Sequence, residues 1–222
     1  PYIDREEIED AKRTLPENVF KQEYLAEFID SGGEVFTSLK KNCFDQYSQP
    51  NGKVYCGIDL GKQADYTVAT FIDSQGKIVD IYRANAQEWT TMTQEILTRA
   101  RRWNATLMVE VNSIGDVIFE QLKKQWQDTH PFVTTSKSKN EIVEGLILDM
   151  NETAVLIPSR ELWPYLYDEL SVFTYEYNPK TRSLKYGHPS GLHDDTVISL
   201  AIANYNRKQN KTYGSYAVMG GR

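Results

Sequence analysis

The sequence predicts an α/β protein: a mixed β-sheet flanked by helices, with an extra β-hairpin late in the chain. Three observations carry that expectation. Apolar, β-branched runs follow one another at 54–60, 67–73 and 78–82, the last two joined by the turn Ser74-Gln75-Gly76. From Trp89 onward, helical and strand patterns alternate. The alternation is then interrupted by Asn178-Pro179-Lys180-Thr181, a hairpin signature flanked by 171–177 and 183–186. Hairpin strands followed by alternating helices and strands imply helices on both faces of one sheet.

In chain order, residues 4–14 read as a helix with Asp4 as N-cap, Glu7 behind it and Pro16 past the end. An aromatic-rich stretch covers 19–30 and stops at Gly32-Gly33. Residues 31–52 are polar and turn-rich, so 1–52 is expected to be a helical lead-in or linker standing apart from the core. After the three strands, 89–103 is a helix with Met92, Ile96, Leu97 and Ala100 at helical spacing. A strand at 106–111, a helix at 116–126, a short strand at 133–135 and a helix at 138–150 follow. A short extended run at 154–157 and a helix at 162–170 precede the hairpin. A closing helix at 193–205 completes the domain at 53–207, and a flexible tail is expected over 208–222.

Composition narrows the class. The chain has 222 residues, 40% of them apolar and 12% aromatic, which suffices for a sizeable core. A net charge of −6 argues against a protein that coats nucleic acid by charge alone. Two cysteines, Cys43 and Cys56, without CxxC spacing, argue against a disulfide scaffold or a structural zinc site and fit a reducing cytoplasm. No run reaches the length of a membrane span, so no membrane partner is expected. The chain begins with Pro, as a fragment of something longer would.

The chemistry resides in three acids placed where strands or helices end. Asp59 closes Tyr55-Cys56-Gly57-Ile58-Asp59-Leu60-Gly61, Glu110 closes Leu107-Met108-Val109-Glu110, and Asp195 opens a helical pattern in His193-Asp194-Asp195-Thr196. A carboxylate at the end of a buried strand is a costly choice for packing. Brought together, such groups repel by about 4 kcal/mol per pair at ~4 Å and an effective dielectric near ~20. A divalent cation removes that cost. If the strands at 54–60 and 106–111 are neighbours, Asp59 and Glu110 lie side by side, and the last helix delivers Asp195 from above; this is the ribonuclease H-like arrangement.

Mg²⁺ or Mn²⁺ suits such oxygen ligands, and a pair of ions roughly 3.5–4 Å apart serves an in-line phosphodiester displacement. Asp59 is then the bridging ligand, with Glu110 and Asp195 each completing one ion. Asp194 stands in reserve for Asp195, since a helix N-terminus favours a carboxylate for capping alone. Asp65 is an auxiliary acid or an ordinary turn residue, and His193 a base, a phosphate-orienting group or a structural histidine. Asp116 after Gly115 reads as a cap. Lys137 and Lys139 either approach DNA phosphates or are solvated lysines. No GxxxxGK[ST] loop, GxSxG elbow, HExxH or GxGxxG occurs.

Taken in order, these motifs resemble the nuclease domain of the large terminase subunit of tailed bacteriophages. The segment 55–61 with Asp65 looks like that family's first acidic motif. Val109-Glu110 followed by Ser113-Ile114-Gly115-Asp116 looks like the second, and His193-Asp194-Asp195 like the third. The lead-in from Leu15-Pro16-Glu17-Asn18-Val19-Phe20 to Phe28 is similar to the segment that leaves the family's packaging ATPase domain, and the hairpin at 171–186 to an elaboration of its ribonuclease H-like core. The resemblance implies a Mg²⁺- or Mn²⁺-dependent endonuclease that cuts concatemeric double-stranded DNA in the host cytoplasm during virus assembly. It implies a portal ring and a small, DNA-recognising terminase subunit as partners.

Rival readings are an actin- or sugar-kinase-like ATPase, another ribonuclease H-like enzyme such as a Holliday-junction resolvase or transposase, and a non-catalytic binding module. The first lacks its phosphate turn and second Asp-x-Gly-Gly loop here, and the lead-in speaks against the second.

Overall fold

The computed structural model describes residues 4–15, 17–25, 32–37, 39–61, 65–111, 115–178, 183–189 and 191–219. The chain opens with helices α1 (Arg5–Thr14) and α2 (Glu17–Leu25), short strand β1 (Gly32–Glu34), a 3-10 turn at Leu39–Asn42 and short strand β2 (Cys43–Phe44). Strands β3 (Val54–Asp59), β4 (Thr67–Asp73) and β5 (Ile78–Ala84) follow, then α3 (Trp89–Trp103), β6 (Thr106–Glu110), α4 (Gly115–Gln125), β7 (Thr129–Phe132) and α5 (Ser136–Asn151). Next come β8 (Ile157–Pro158), α6 (Pro164–Val172), β9 (Thr174–Asn178), β10 (Ser183–Gly187) and α7 (Asp195–Met219).

The central sheet has five strands in the order β5-β4-β3-β6-β7. β5, β4 and β3 run antiparallel to one another, whereas β6 and β7 run parallel to β3. Side chains alternate across it, as the two-residue period of a strand requires. Cys56, Ile58, Ala69, Phe71, Leu107 and Val109 face α3 and α4. Tyr55, Ile72, Ile78 and Met108 face the core built from α5, α6 and α7. The expected mixed sheet with helices on both faces is the one observed.

α7 lies directly on β3. At Gly57, a Cβ would collide with the backbone of Ser199 and Ala203, so the absent side chain sets the approach of helix to strand. Buried polar groups stitch the contact. The Ser199 hydroxyl donates to the Gly57 carbonyl at 2.9 Å, and Asn206 Nδ2 donates to the carbonyls of Cys56 (3.1 Å) and Thr106 (3.0 Å).

Several expectations need correction. Residues 32–44 do not stand apart from the core: β1 pairs with β9, β2 pairs with β8, and Val35, Phe36 and Leu39 are buried. Their partners lie more than a hundred residues on, which no local pattern shows. The strand expected at 133–135 is instead β7 at Thr129–Phe132. Pro131 is tolerated there because β7 is an edge strand and owes hydrogen bonds to one side only. Thr135 caps α5, its hydroxyl accepting the Ser138 N–H at 3.1 Å.

Ser171 and Val172 end α6 instead of starting a strand. The hairpin itself is present, with Tyr186 opposite Tyr175, although its turn at 179–182 lies outside the described residues. Residues 26–30 of the aromatic-rich stretch lie outside them too. The closing helix continues past Tyr205 to Met219, where a tail was expected. Asn206 and Arg207, just past the expected end of that helix, are buried, and Arg207 pairs with Asp149 at 3.3 Å.

Candidate active site

The parallel pairing of β3 and β6 places Ile58 opposite Val109, so Asp59 and Glu110 emerge side by side from the ends of adjacent strands. Burial pushes the Asp59 carboxyl well above the usual carboxylate range, and the neighbouring Glu110 carboxyl, followed by the charges of Asp195 and Asp194, pushes it further.

α7 brings Asp195 to the same end of the sheet, 8% exposed. One of its oxygens accepts the backbone N–H of Tyr66 at 3.2 Å. Burial raises its pKa to about 6; the Tyr66 bond opposes that shift, and the charges of Glu169, Asp65 and Asp194 reinforce it. His193 precedes the helix, with Nδ1 3.6 Å from Asp195 and 3.9 Å from Asp65, and its ring stands edge-on to Tyr66. Asp65 is exposed.

Asp194 turns the other way. Lys139 Nζ lies 3.1 Å from one of its oxygens and His188 Nε2 3.6 Å from the other. Lys139 therefore meets an acid of the cluster. Lys137 is 89% exposed along its side chain and 3.8 Å from Glu141. Asp116 is exposed in the first turn of α4, and residues 112–114 just before it lie outside the described residues, as do 62–64 after β3.

The structure thus gathers Asp59, Glu110, Asp194 and Asp195 at one end of the sheet, where the pKa values of Asp59 and Asp195 are raised, with Asp65 and His193 at the rim. Among the described residues, no three His, Cys, Asp or Glu side chains stand close enough to form a ready-made metal cage. The groups around Asp59 are nonetheless all carboxylates, the oxygen donors that a hard divalent cation prefers, and a bound cation would offset the burial and mutual repulsion that raise the Asp59 pKa.

Sequence reasoning missed the supports of this cluster. Buried Glu169 on α6 accepts the N–H of Thr196 at 2.9 Å and its hydroxyl at 2.5 Å, fixing the first turn of α7. Arg83 on β5 lies 3.6 Å from the other Glu169 oxygen. An acid within the apolar pattern of α6 is a usable signal for Glu169; Arg83 and His188 carry none.

No protein-family profile matches the chain. It is 28% identical over 211 residues to the terminase large subunits of Thermus virus P23-45 and Thermus phage G20c, covering 89% of this chain. It spans only 42% of the length of those relatives. Among solved structures, the large terminase nuclease of the thermophilic phage G20c with bound magnesium matches at a TM-score of 0.68 and 25% identity, over 78% of this chain and 96% of that one. The same nuclease has been solved with cobalt and with zinc. The large terminase of the thermophilic bacteriophage D6E matches in fold, at a TM-score of 0.68 and 10% identity over 92% of this chain and 53% of its own. By sequence and by fold together, this chain is similar to the nuclease domain of bacteriophage large terminase subunits.

Proposed function

We propose that the chain is a divalent-metal-dependent DNA endonuclease that cuts concatemeric double-stranded DNA during viral genome packaging. The observation that carries this is the placement of Asp59 and Glu110 side by side at the ends of adjacent parallel strands, with Asp195 and Asp194 delivered beside them by α7. The metal-bound forms of the similar G20c nuclease support a cation at such a site.

In this reading, Asp59, Glu110 and Asp195, with Asp194 as the alternative to Asp195, hold two Mg²⁺ or Mn²⁺ ions. Bound there, the ions would supply an activated water and charge stabilisation at the leaving 3′-oxygen. The chain's own residues do the rest. Asp59, whose buried carboxyl favours the protonated form, would give up its proton on becoming a ligand. Tyr66 N–H holds one Asp195 oxygen, which leaves the other to turn towards the cluster. His193, 3.6 Å from Asp195, is placed to orient a water or a phosphate oxygen, and Lys139 balances Asp194.

As a domain division we propose a helical lead-in arriving from an ATPase domain, followed by a nuclease domain that includes the strands at 32–34 and 43–44 and continues through 53–207. In the host cytoplasm, a portal ring and a small terminase subunit would be its partners. Among the described residues, no helix is long and apolar enough to cross a membrane.

Incubation of supercoiled plasmid across a divalent series tests the activity. Nicked and linear products should form in Mg²⁺ or Mn²⁺ and vanish with EDTA. Intact plasmid in every metal, or equal cleavage in EDTA, overturns the proposal. The DNA path is tested separately. Combined Lys137→Glu and Lys139→Glu should weaken duplex binding and lower the slope of log K against log salt by about 2, one unit per lost phosphate contact. An unchanged slope removes this patch from the DNA path.

A further inference from the structure

Two routes hold Asp195 in place, and both run through one side chain on the far hairpin. The first is Tyr66, whose N–H donates to Asp195 and whose ring carries the Arg83 guanidinium on its face, 3.3 Å from the ring centroid. The second is Glu169, which anchors the N–H and hydroxyl of Thr196, the residue after Asp195, and whose other oxygen faces Arg83 at 3.6 Å. The guanidinium also lies over the Tyr165 ring, 4.5 Å from its centroid. The Arg83 side chain is only 13% exposed, and among the described residues its Nε finds no hydrogen-bond partner. What secures it is the pair of rings and the Glu169 carboxylate.

Several features rule out simpler roles. With two tyrosine rings against it and only 13% of its side chain exposed, the guanidinium offers little surface to a DNA phosphate. A plain structural ion pair would not need the flat, stacked geometry that suits arginine and not lysine. Register supplies the lever: Arg83 sits opposite Val68, two residues beyond Tyr66, so the β4–β5 hairpin sets Arg83 and Tyr66 in one rigid unit.

We propose that Arg83 is a positioning residue for the acidic site. It clamps Tyr66 and Glu169 together so that the Asp195 carboxylate is presented to metal in a single orientation. This rests on the metal-dependent reading above and adds to it a residue that touches neither metal nor DNA. Groups that orient ligands from behind commonly shift metal affinity by about 10–100-fold when replaced.

The test is a thermal-melting titration of the whole chain with MnCl₂, alongside plasmid cleavage over the same concentrations. Arg83→Gln should need about 10-fold more Mn²⁺ than wild type for half of its melting-temperature rise, with cleavage recovering at saturating Mn²⁺. A role confined to folding would lower the metal-free melting temperature and leave that midpoint where it was; a folded Arg83→Gln with the wild-type midpoint overturns the proposal. Should Arg83→Gln not fold, Arg83→Lys decides by the same midpoint, because it keeps a charge towards Glu169 but loses the plane against the rings. If wild type shows no Mn²⁺-dependent rise, the metal reading itself fails and this inference falls with it.

Discussion

Asp59→Asn and Asp195→Asn are each expected to reduce plasmid cleavage by about 1000-fold or more, the loss of roughly 4 kcal/mol of transition-state stabilisation that a misplaced ion would cause. The fold should survive, and the metal-free protein should be no less stable than wild type. Both carboxyls are pushed up in pKa, so ionising them opposes folding. The sign is set by linkage. For Asp195, the folded chain holds the proton up to pH about 6, while an unfolded aspartate releases it near ~3.9. Between those limits the folded state binds more protons, so this group's contribution to stability falls as pH rises.

In EDTA, the melting temperature of wild type relative to Asp195→Asn should therefore decline from pH ~4 to pH ~6 and level off above. Mn²⁺ should lift the wild type at neutral pH and leave the variant nearly unmoved. A variant that cleaves at the wild-type rate in Mn²⁺, or a flat difference across that pH range, would remove the residue from the site.

The second large effect concerns a residue with no side chain at all. Gly57→Ala puts a Cβ into the backbone of Ser199 and Ala203, where no rotamer change offers relief. A cost of about 3 kcal/mol or more is expected, at or beyond the upper end for overpacked cores. At roughly 2–4 °C per kcal/mol for a domain of this size, the melting temperature should drop by about 6–12 °C. Because α7 starts at Asp195, a displaced helix also moves that carboxylate, so activity should fall at temperatures where the variant is still folded. Gly145→Ala is the contrast. That glycine lies within α5 with open space where a Cβ would go, so alanine should add about 1 kcal/mol through helix propensity. Paired thermal melts decide the matter, and equal melting of Gly57→Ala and wild type would show that the helix can retreat without cost.

Much of this molecule is legible from local pattern. The β-branched runs that became β3, β4, β5 and β6 announce themselves because a strand buried on both faces admits little else, and Asp59 and Glu110 stand out as charges where such runs end. Capping chemistry likewise marks Asp4 at α1, and the Asn178-Pro179 turn announces the hairpin. Other features are written in residues too far apart to form a pattern. Val35 and Phe36 look like stray apolar residues until β1 meets β9, and nothing near Asn206 in sequence points to the strand carbonyls that its amide reaches.

The line between the two kinds of information follows from the range of the forces involved. Periodicity, turn chemistry and caps act over a few residues, so the sequence by itself determined which segments are strands and helices and which acids end them. Only tertiary structure decided that Asp194 turns to Lys139 while Asp195 turns to Tyr66, and that Arg83 and Glu169 stand behind it. Those outcomes depend on which surfaces a packed chain desolvates together, and a buried charge reveals its partner only once both have left water.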